Sequence, residues 1–169
     1  MLSLHLADEA ATRQLAAVLA ETAPPSGWMA LHGDLGAGKT TLVRAFMHAL
    51  GYTGRVTSPT YTLVEIYELP DAPDRPGRRV AHYDLYRLHD PEELEWMGAR
   101  EDFGADTLAL VEWPQRGAGM LPPADVELFL LHEGESRQAR LQARGSAGEA
   151  WLDKVKAMLK KNNISCSLD

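Results

Sequence analysis

Apolar positions change period several times along the chain, and each change marks an element. Ser3 to Leu6 alternate polar and apolar, the two-residue period of a strand with one covered face. Asp8 then offers a side-chain cap. Leu15, Val18 and Leu19, set among alanines, keep helical spacing to about Glu21, and Pro24-Pro25-Ser26-Gly27 stops the helix. Trp28 to His32 is apolar nearly throughout, as a strand central to a sheet should be. Lys39 to Leu50 returns to helical spacing, with Leu42, Phe46, Met47 and Leu50 on one side and Gly51 as the expected C-cap.

Further on, Thr62 to Leu69 and Arg79 to Leu88 read as strands. Pro70 to Arg78 joins them, a proline- and charge-bearing loop expected to be exposed and mobile. Asp90-Pro91-Glu92-Glu93 has the make-up of a helix start, with acids toward the positive end of the dipole. Thr107 to Trp113 is another apolar strand. Val126 to His132 and Arg137 to Ala143 form a predicted hairpin around Glu133-Gly134-Glu135-Ser136. Trp151 to Lys161 closes the series as a helix with Trp151, Leu152, Val155, Met158 and Leu159 inward. Helices interleave with strands while the hairpins add antiparallel pairs, which predicts an α/β fold with a mixed β-sheet flanked by helices.

A chain of 169 residues suffices for one domain with its own core, here 1–159, with 160–169 expected to be a flexible C-terminal tail. The formal net charge of −7 tells against a protein that grips nucleic acid by itself. Its short basic clusters, Arg75/Arg78/Arg79 and Lys154/Lys156/Lys160/Lys161, read as a solvated loop and the polar face of a helix. The single cysteine, Cys166, permits no internal disulfide. The histidines show no metal-ligand spacing, so no zinc site is assigned. Met1 to Ala10 lacks a basic-then-apolar leader pattern, and apolar runs fall short of the roughly 18 residues that span a bilayer. A cytoplasmic protein with no membrane partner is expected.

The candidate chemistry is concentrated in Gly33-Asp34-Leu35-Gly36-Ala37-Gly38-Lys39-Thr40, which matches glycine, four residues, then Gly-Lys-Ser/Thr. Glycines let successive N–H groups converge on phosphate without a Cβ in the way, and the following helix adds its positive end. Lys39 supplies a cation for the outer phosphates, and the Thr40 hydroxyl suits Mg²⁺. The loop follows an apolar strand and opens an amphipathic helix, the context that distinguishes a P-loop from a glycine-rich turn. Such a site needs a further acid at a neighbouring strand end. Glu112, closing Leu108-Ala109-Leu110-Val111-Glu112, and Asp84, within His82-Tyr83-Asp84-Leu85-Tyr86, are the two candidates. In Ser58-Pro59-Thr60-Tyr61-Thr62, Thr60 is a candidate to orient water or touch the metal, the alternative being that Pro59 only sets the entry to the next strand.

These blocks, with Pro91-Glu92-Glu93-Leu94 and Leu110-Val111-Glu112-Trp113, together resemble the TsaE (YjeE) family, the small bacterial ATPases of tRNA threonylcarbamoyladenosine synthesis. The resemblance spans Leu31 to Trp113. It implies binding of ATP and Mg²⁺, and association with the TsaD–TsaB complex, whose turnover hydrolysis would support. The partner, not this acidic chain, would hold the tRNA. Gly33, Leu35, Gly36, Ala37, Gly38, Lys39, Thr40 and Thr41 would bind phosphates. Thr40 and Glu112 would place the metal, while Asp84 and Thr60 match family positions tied to activity, Asp84 being the second candidate as metal-shell acid or else a water orienter. Trp113 matches a family aromatic near the site, and Glu9, Thr12 and Arg137 would lie near the nucleoside. Two departures stand out: Pro70 to Arg78 is longer than the usual joint, and Gln115 stands where an acid often follows Glu-Trp.

Two other functions use the same loop. A small-molecule kinase would need an arginine-rich lid, for which Arg75/Arg78/Arg79 is the candidate. A nucleotide-gated switch would bind ATP with negligible turnover. A GTPase is disfavoured because the sequence has no Asn-Lys-x-Asp segment to read guanine.

Overall fold

A computed structural model describes residues 1–104 and 106–168, with Leu168 described by its backbone alone. In chain order the elements are β1 (Leu2–Leu6), α1 (Glu9–Thr22), β2 (Gly27–His32), α2 (Lys39–Ala49), β3 (Val64–Leu69) and β4 (Arg78–Asp84). There follow α3 (Glu93–Trp96), β5 (Thr107–Glu112), β6 (Val126–Glu133), β7 (Ser136–Ala143), α4 (Gly145–Lys161) and β8 (Ser167–Leu168). Short 3₁₀ turns occupy Ala99–Phe103 and Pro114–Gly117. The strands form one sheet in the order β3-β4-β5-β2-β6-β7-β1-β8. β4, β5, β2 and β6 run parallel, and the remaining pairs are antiparallel. The predicted α/β mixed sheet is therefore what the chain adopts, with β2 at its centre.

Alternation along the central strands supplies two cores. Met29, Leu31, Val80, Leu108, Leu110 and Leu128 face the layer of α1, α2 and α4, where Leu19, Phe46 and Trp151 meet them. Trp28, Ala30, Ala81, Tyr83, Ala109 and Val111 form the opposite face, covered by Leu94, Ala99 and their neighbours. With both faces buried, these strands are apolar throughout instead of alternating.

Several boundaries differ from expectation, each for a local reason. β3 starts at Val64, not Thr62, because Leu63 sits at φ 65°. β4 stops at Asp84, not Leu88: the Asp84 carboxylate accepts from Tyr86 N at 3.1 Å, turning the chain off the sheet. Helix α2 ends at Ala49 with Leu50 as cap, and Gly51 follows at φ 88°. Helix α4 begins at Gly145, well before Trp151. There Gly148 lies against the backbone of Asp125, where an added Cβ would come within 1.9 Å of the carbonyl oxygen. That glycine marks close packing, not a helix break. The Asp90–Glu93 start yields only the short α3, in which Glu93 accepts from His89 N and Asp90 N. At the C-terminal end α4 runs to Lys161 and Ser167 then pairs with Ser3; Asp169 lies outside the described residues.

Candidate phosphate and metal site

Because β2, β4 and β5 run parallel, their C-terminal ends reach the same edge of the sheet, where open α/β sheets bind ligands. β2 delivers the glycine loop, β4 delivers Asp84 and β5 delivers Glu112. The register places Asp84 directly beside Glu112. They border a cleft of about 470 Å³ that also takes in Lys39, Thr40, Thr60 and Trp113.

The loop is shaped by positive φ at Gly33 (146°), Gly36 (78°) and Gly38 (104°). Gly38 is the N-cap of α2 and offers no side chain to the first turn, so those N–H groups are left for an anion. Around Gly36 and Gly38 an added Cβ would meet no atom within 4 Å, so it would enter the open cradle. At Gly33 it would come within 2.6 Å of the Leu130 carbonyl oxygen. Two substitutions therefore separate structure from binding. Gly33→Ala is expected to destabilise the fold by roughly 1–3 kcal/mol. Gly38→Ala should lower the melting temperature less and weaken affinity for tripolyphosphate more. Thermal melts and calorimetry check both, and the reverse order would contradict the assignment.

Lys39 is buried, and its ammonium donates to the carbonyls of Gly33 and Asp34, the latter at 2.9 Å. Its Nζ lies 4.4 Å from the centre of the Trp113 ring, which its left-handed backbone (φ 57°) turns toward the loop. Burial lowers the Lys39 pKa, while Glu112, Asp84 and Asp34 pull it back up. Thr40 Oγ1 donates to both Glu112 oxygens, at 3.1 and 3.2 Å. Asp84 Oδ2 accepts from Ser58 Oγ and, at 3.2 Å, from Thr60 Oγ1. Hydroxyls and carboxylates thus converge in front of the loop, an all-oxygen donor set of the kind that suits Mg²⁺. Thr40 and Glu112 are the residues that would hold it, with Asp84 as the second candidate.

On the other side of the loop lies a smaller hollow of about 260 Å³, bordered by Glu9, Thr12, Ala37, Thr41 and Arg137. Arg137 donates to the carbonyls of Ala37 and Gly36, both at 3.3 Å, propping the loop from behind. Leu35 stands exposed at the rim. The sequence-predicted residues therefore fall into two adjoining hollows that share Gly36, Gly38 and Thr41, except Gly33, which lines neither and packs against Leu130. Four further residues belong here that sequence reasoning gave no role. Ser58 bonds Asp84, Tyr86 packs its ring at a tilt against Trp113 with centroids 5.0 Å apart, Arg87 borders the cleft, and His82 lies beneath Glu112. For His82, Tyr86 and Arg87 the signal was clustering within His82–Arg87, and for Ser58 its place beside Thr60, which spacing alone does not resolve into partners. A separate hollow of about 390 Å³ beside Leu94, Phe103 and Leu121 is distinct from this edge.

The model of the family described as "Threonylcarbamoyl adenosine biosynthesis protein TsaE" matches residues 6–141. The chain belongs to the TsaE family. Every site residue from Glu9 to Arg137 lies within that span. A TsaE of Haemophilus influenzae is 46% identical over 119 residues, covering 70% of this chain and 72% of its own length. The Bacillus subtilis TsaE is 32% identical over 155 residues, covering 91% of each chain. Both bear the name tRNA threonylcarbamoyladenosine biosynthesis protein. Among solved structures, Bacillus subtilis YdiB superposes with a TM-score of 0.77 at 25% identity, covering 94% of this chain and 96% of that one. Membership in the TsaE family thus agrees with the resemblance carried by the motifs.

Proposed function

We propose that this chain binds and hydrolyses Mg²⁺-ATP, and that hydrolysis supports turnover of the TsaD–TsaB transferase in forming threonylcarbamoyladenosine in tRNA. The observation that carries the reading is the Thr40 hydroxyl bonded to Glu112 in the cleft that the glycine loop borders, at a helix N-terminus with no side-chain cap. Lys39 would neutralise the outer phosphates. The Gly36–Thr41 amides would bind their oxygens, and Asp84 with Thr60 would orient the attacking water. Bound Mg²⁺ would supply charge neutralisation at the terminal phosphates. The hollow beside Glu9, Thr12 and Arg137 would take the nucleoside.

The kinase reading loses its lid. Arg78 begins β4, at the end of the sheet opposite Asp84, and its guanidinium donates to Ala23 O at 3.3 Å. Arg75 lies over Gly51 at the C-terminal end of α2, and Arg79 pairs with Asp102 at 2.6 Å. All three arginines lie away from the phosphate cleft. Hydrolysis of ATP measured alone and with TsaD–TsaB tests the proposal. Turnover that rises with the partners is expected. Binding without turnover in either case would favour the switch instead.

A further inference from the structure

His82 belongs to the sheet's interior yet makes a polar contact with the site. It is fully buried, on the face of β4 between Val80 and Asp84. The parallel register sets it beside Leu110 of β5, so its ring reaches diagonally to the next inward residue, Glu112. Its Nε2 lies 2.8 Å from Glu112 Oε1. Its Nδ1 is buried without a hydrogen-bond partner.

That asymmetry identifies the hydrogen-bonding form. A buried N–H without an acceptor costs more than a bare ring lone pair, because the donor's water is not replaced. The proton therefore sits on Nε2, and the ring donates it to Glu112. The surrounding face is apolar, with Val80, Leu108 and Leu110 all completely buried, so a leucine would fill position 82 without stranding any polar atom of its own. What the imidazole adds is a fixed donor beneath the carboxylate.

We propose that His82 is a positioning residue that locks the Glu112 carboxylate in the orientation needed to hold Mg²⁺; the proposal rests on the metal role given to Glu112 above. Oε1 accepts from both His82 and Thr40, whereas Oε2 accepts from Thr40 alone. One oxygen is thereby anchored from below while the other keeps lone pairs for the cleft. Without the ring only Thr40 holds the carboxylate, and rotation about the last glutamate bonds would move its oxygens off the metal position. Outer-shell donors of this kind fix ligand orientation in other metal sites.

The test compares His82→Leu, His82→Gln and His82→Asn. Affinity for a non-hydrolysable ATP analogue is measured by calorimetry across a Mg²⁺ series, with melting curves of the free proteins alongside. For His82→Leu the Mg²⁺ concentration giving half the affinity gain should rise by about 10–100-fold, with affinity in EDTA unchanged. His82→Gln places its amide nitrogen near the position of Nε2 and should recover to within about threefold of the parent, while the shorter asparagine should not. If His82→Leu shifts only the melting temperature, or if glutamine behaves like leucine, the proposal is overturned. Should His82→Leu fail to fold, the glutamine–asparagine pair decides, and equal Mg²⁺ dependence in those two overturns it. A parent protein whose analogue binding ignores Mg²⁺ would instead remove the metal role of Glu112, and this proposal with it.

Discussion

Lys39→Ala is expected to abolish ATP binding and hydrolysis while leaving the fold intact. The Lys39 ammonium is the cation at the loop's centre, fixed by the Gly33 and Asp34 carbonyls and by the face of Trp113. Removing a preorganised group that stabilises transition-state charge typically costs about 10²–10³ in rate. Here the same group would also hold the ground-state triphosphate, so affinity should fall together with turnover. The structural cost should be small. Lys39 is desolvated by burial, and deleting it removes a buried charge along with its bonds. A net loss of about 1 kcal/mol would lower the melting temperature by roughly 2–4 °C in a domain of this size. Melting curves measured beside nucleotide titrations check both halves. A variant that still hydrolyses at near-parent rates would contradict the role given to Lys39.

Glu112→Ala is expected to lose most Mg²⁺-dependent hydrolysis while keeping part of the ATP affinity. The glycine loop and Lys39 remain in place, so the phosphates retain their main-chain donors. A bound metal, however, would lose the carboxylate that pairs with Thr40. A second effect follows from His82, whose Nε2 would be left buried without its acceptor. An unsatisfied buried donor costs about 1–3 kcal/mol, so this variant should melt earlier than Lys39→Ala. Asp84→Ala supplies the comparison. Asp84 is bonded to Ser58, Thr60 and Tyr86 N, and it organises the segment expected to place water. Its loss should reduce turnover with a smaller change in Mg²⁺ dependence. If Glu112→Ala hydrolyses normally and Asp84→Ala does not, the two carboxylates have exchanged roles.

How much of this was legible in the residues depended on whether the signal was local. The strand-loop-helix from Trp28 to Leu50 could be read directly, because an apolar run, spaced glycines and helical periodicity follow one another without interruption. Glu112 was legible as an acid ending an apolar strand. The partnership of Asp84 with Glu112 was not, since only the β4–β5 register sets them side by side. His82 escaped for the same reason: its partner lies on another strand, diagonally across the sheet. The end of β4 was misplaced because apolar and aromatic residues continue to Leu88, while the turn is made by a side-chain bond from Asp84. The start of α4 was hidden by Gly145 and Gly148, which resemble breakers in sequence, although the second is required for contact with Asp125. Glu9, Thr12 and Arg137 carried little local pattern and came from family resemblance alone. The fold brings all three to one hollow behind the glycine loop.

Calorimetric titration of the folded chain with ATP in the presence and absence of Mg²⁺ tests the central claim most directly. Saturable heat from a single site, strengthened by Mg²⁺ and missing in Lys39→Ala, is the result expected. No heat of association from well-folded protein, even after TsaD–TsaB is added, would contradict it.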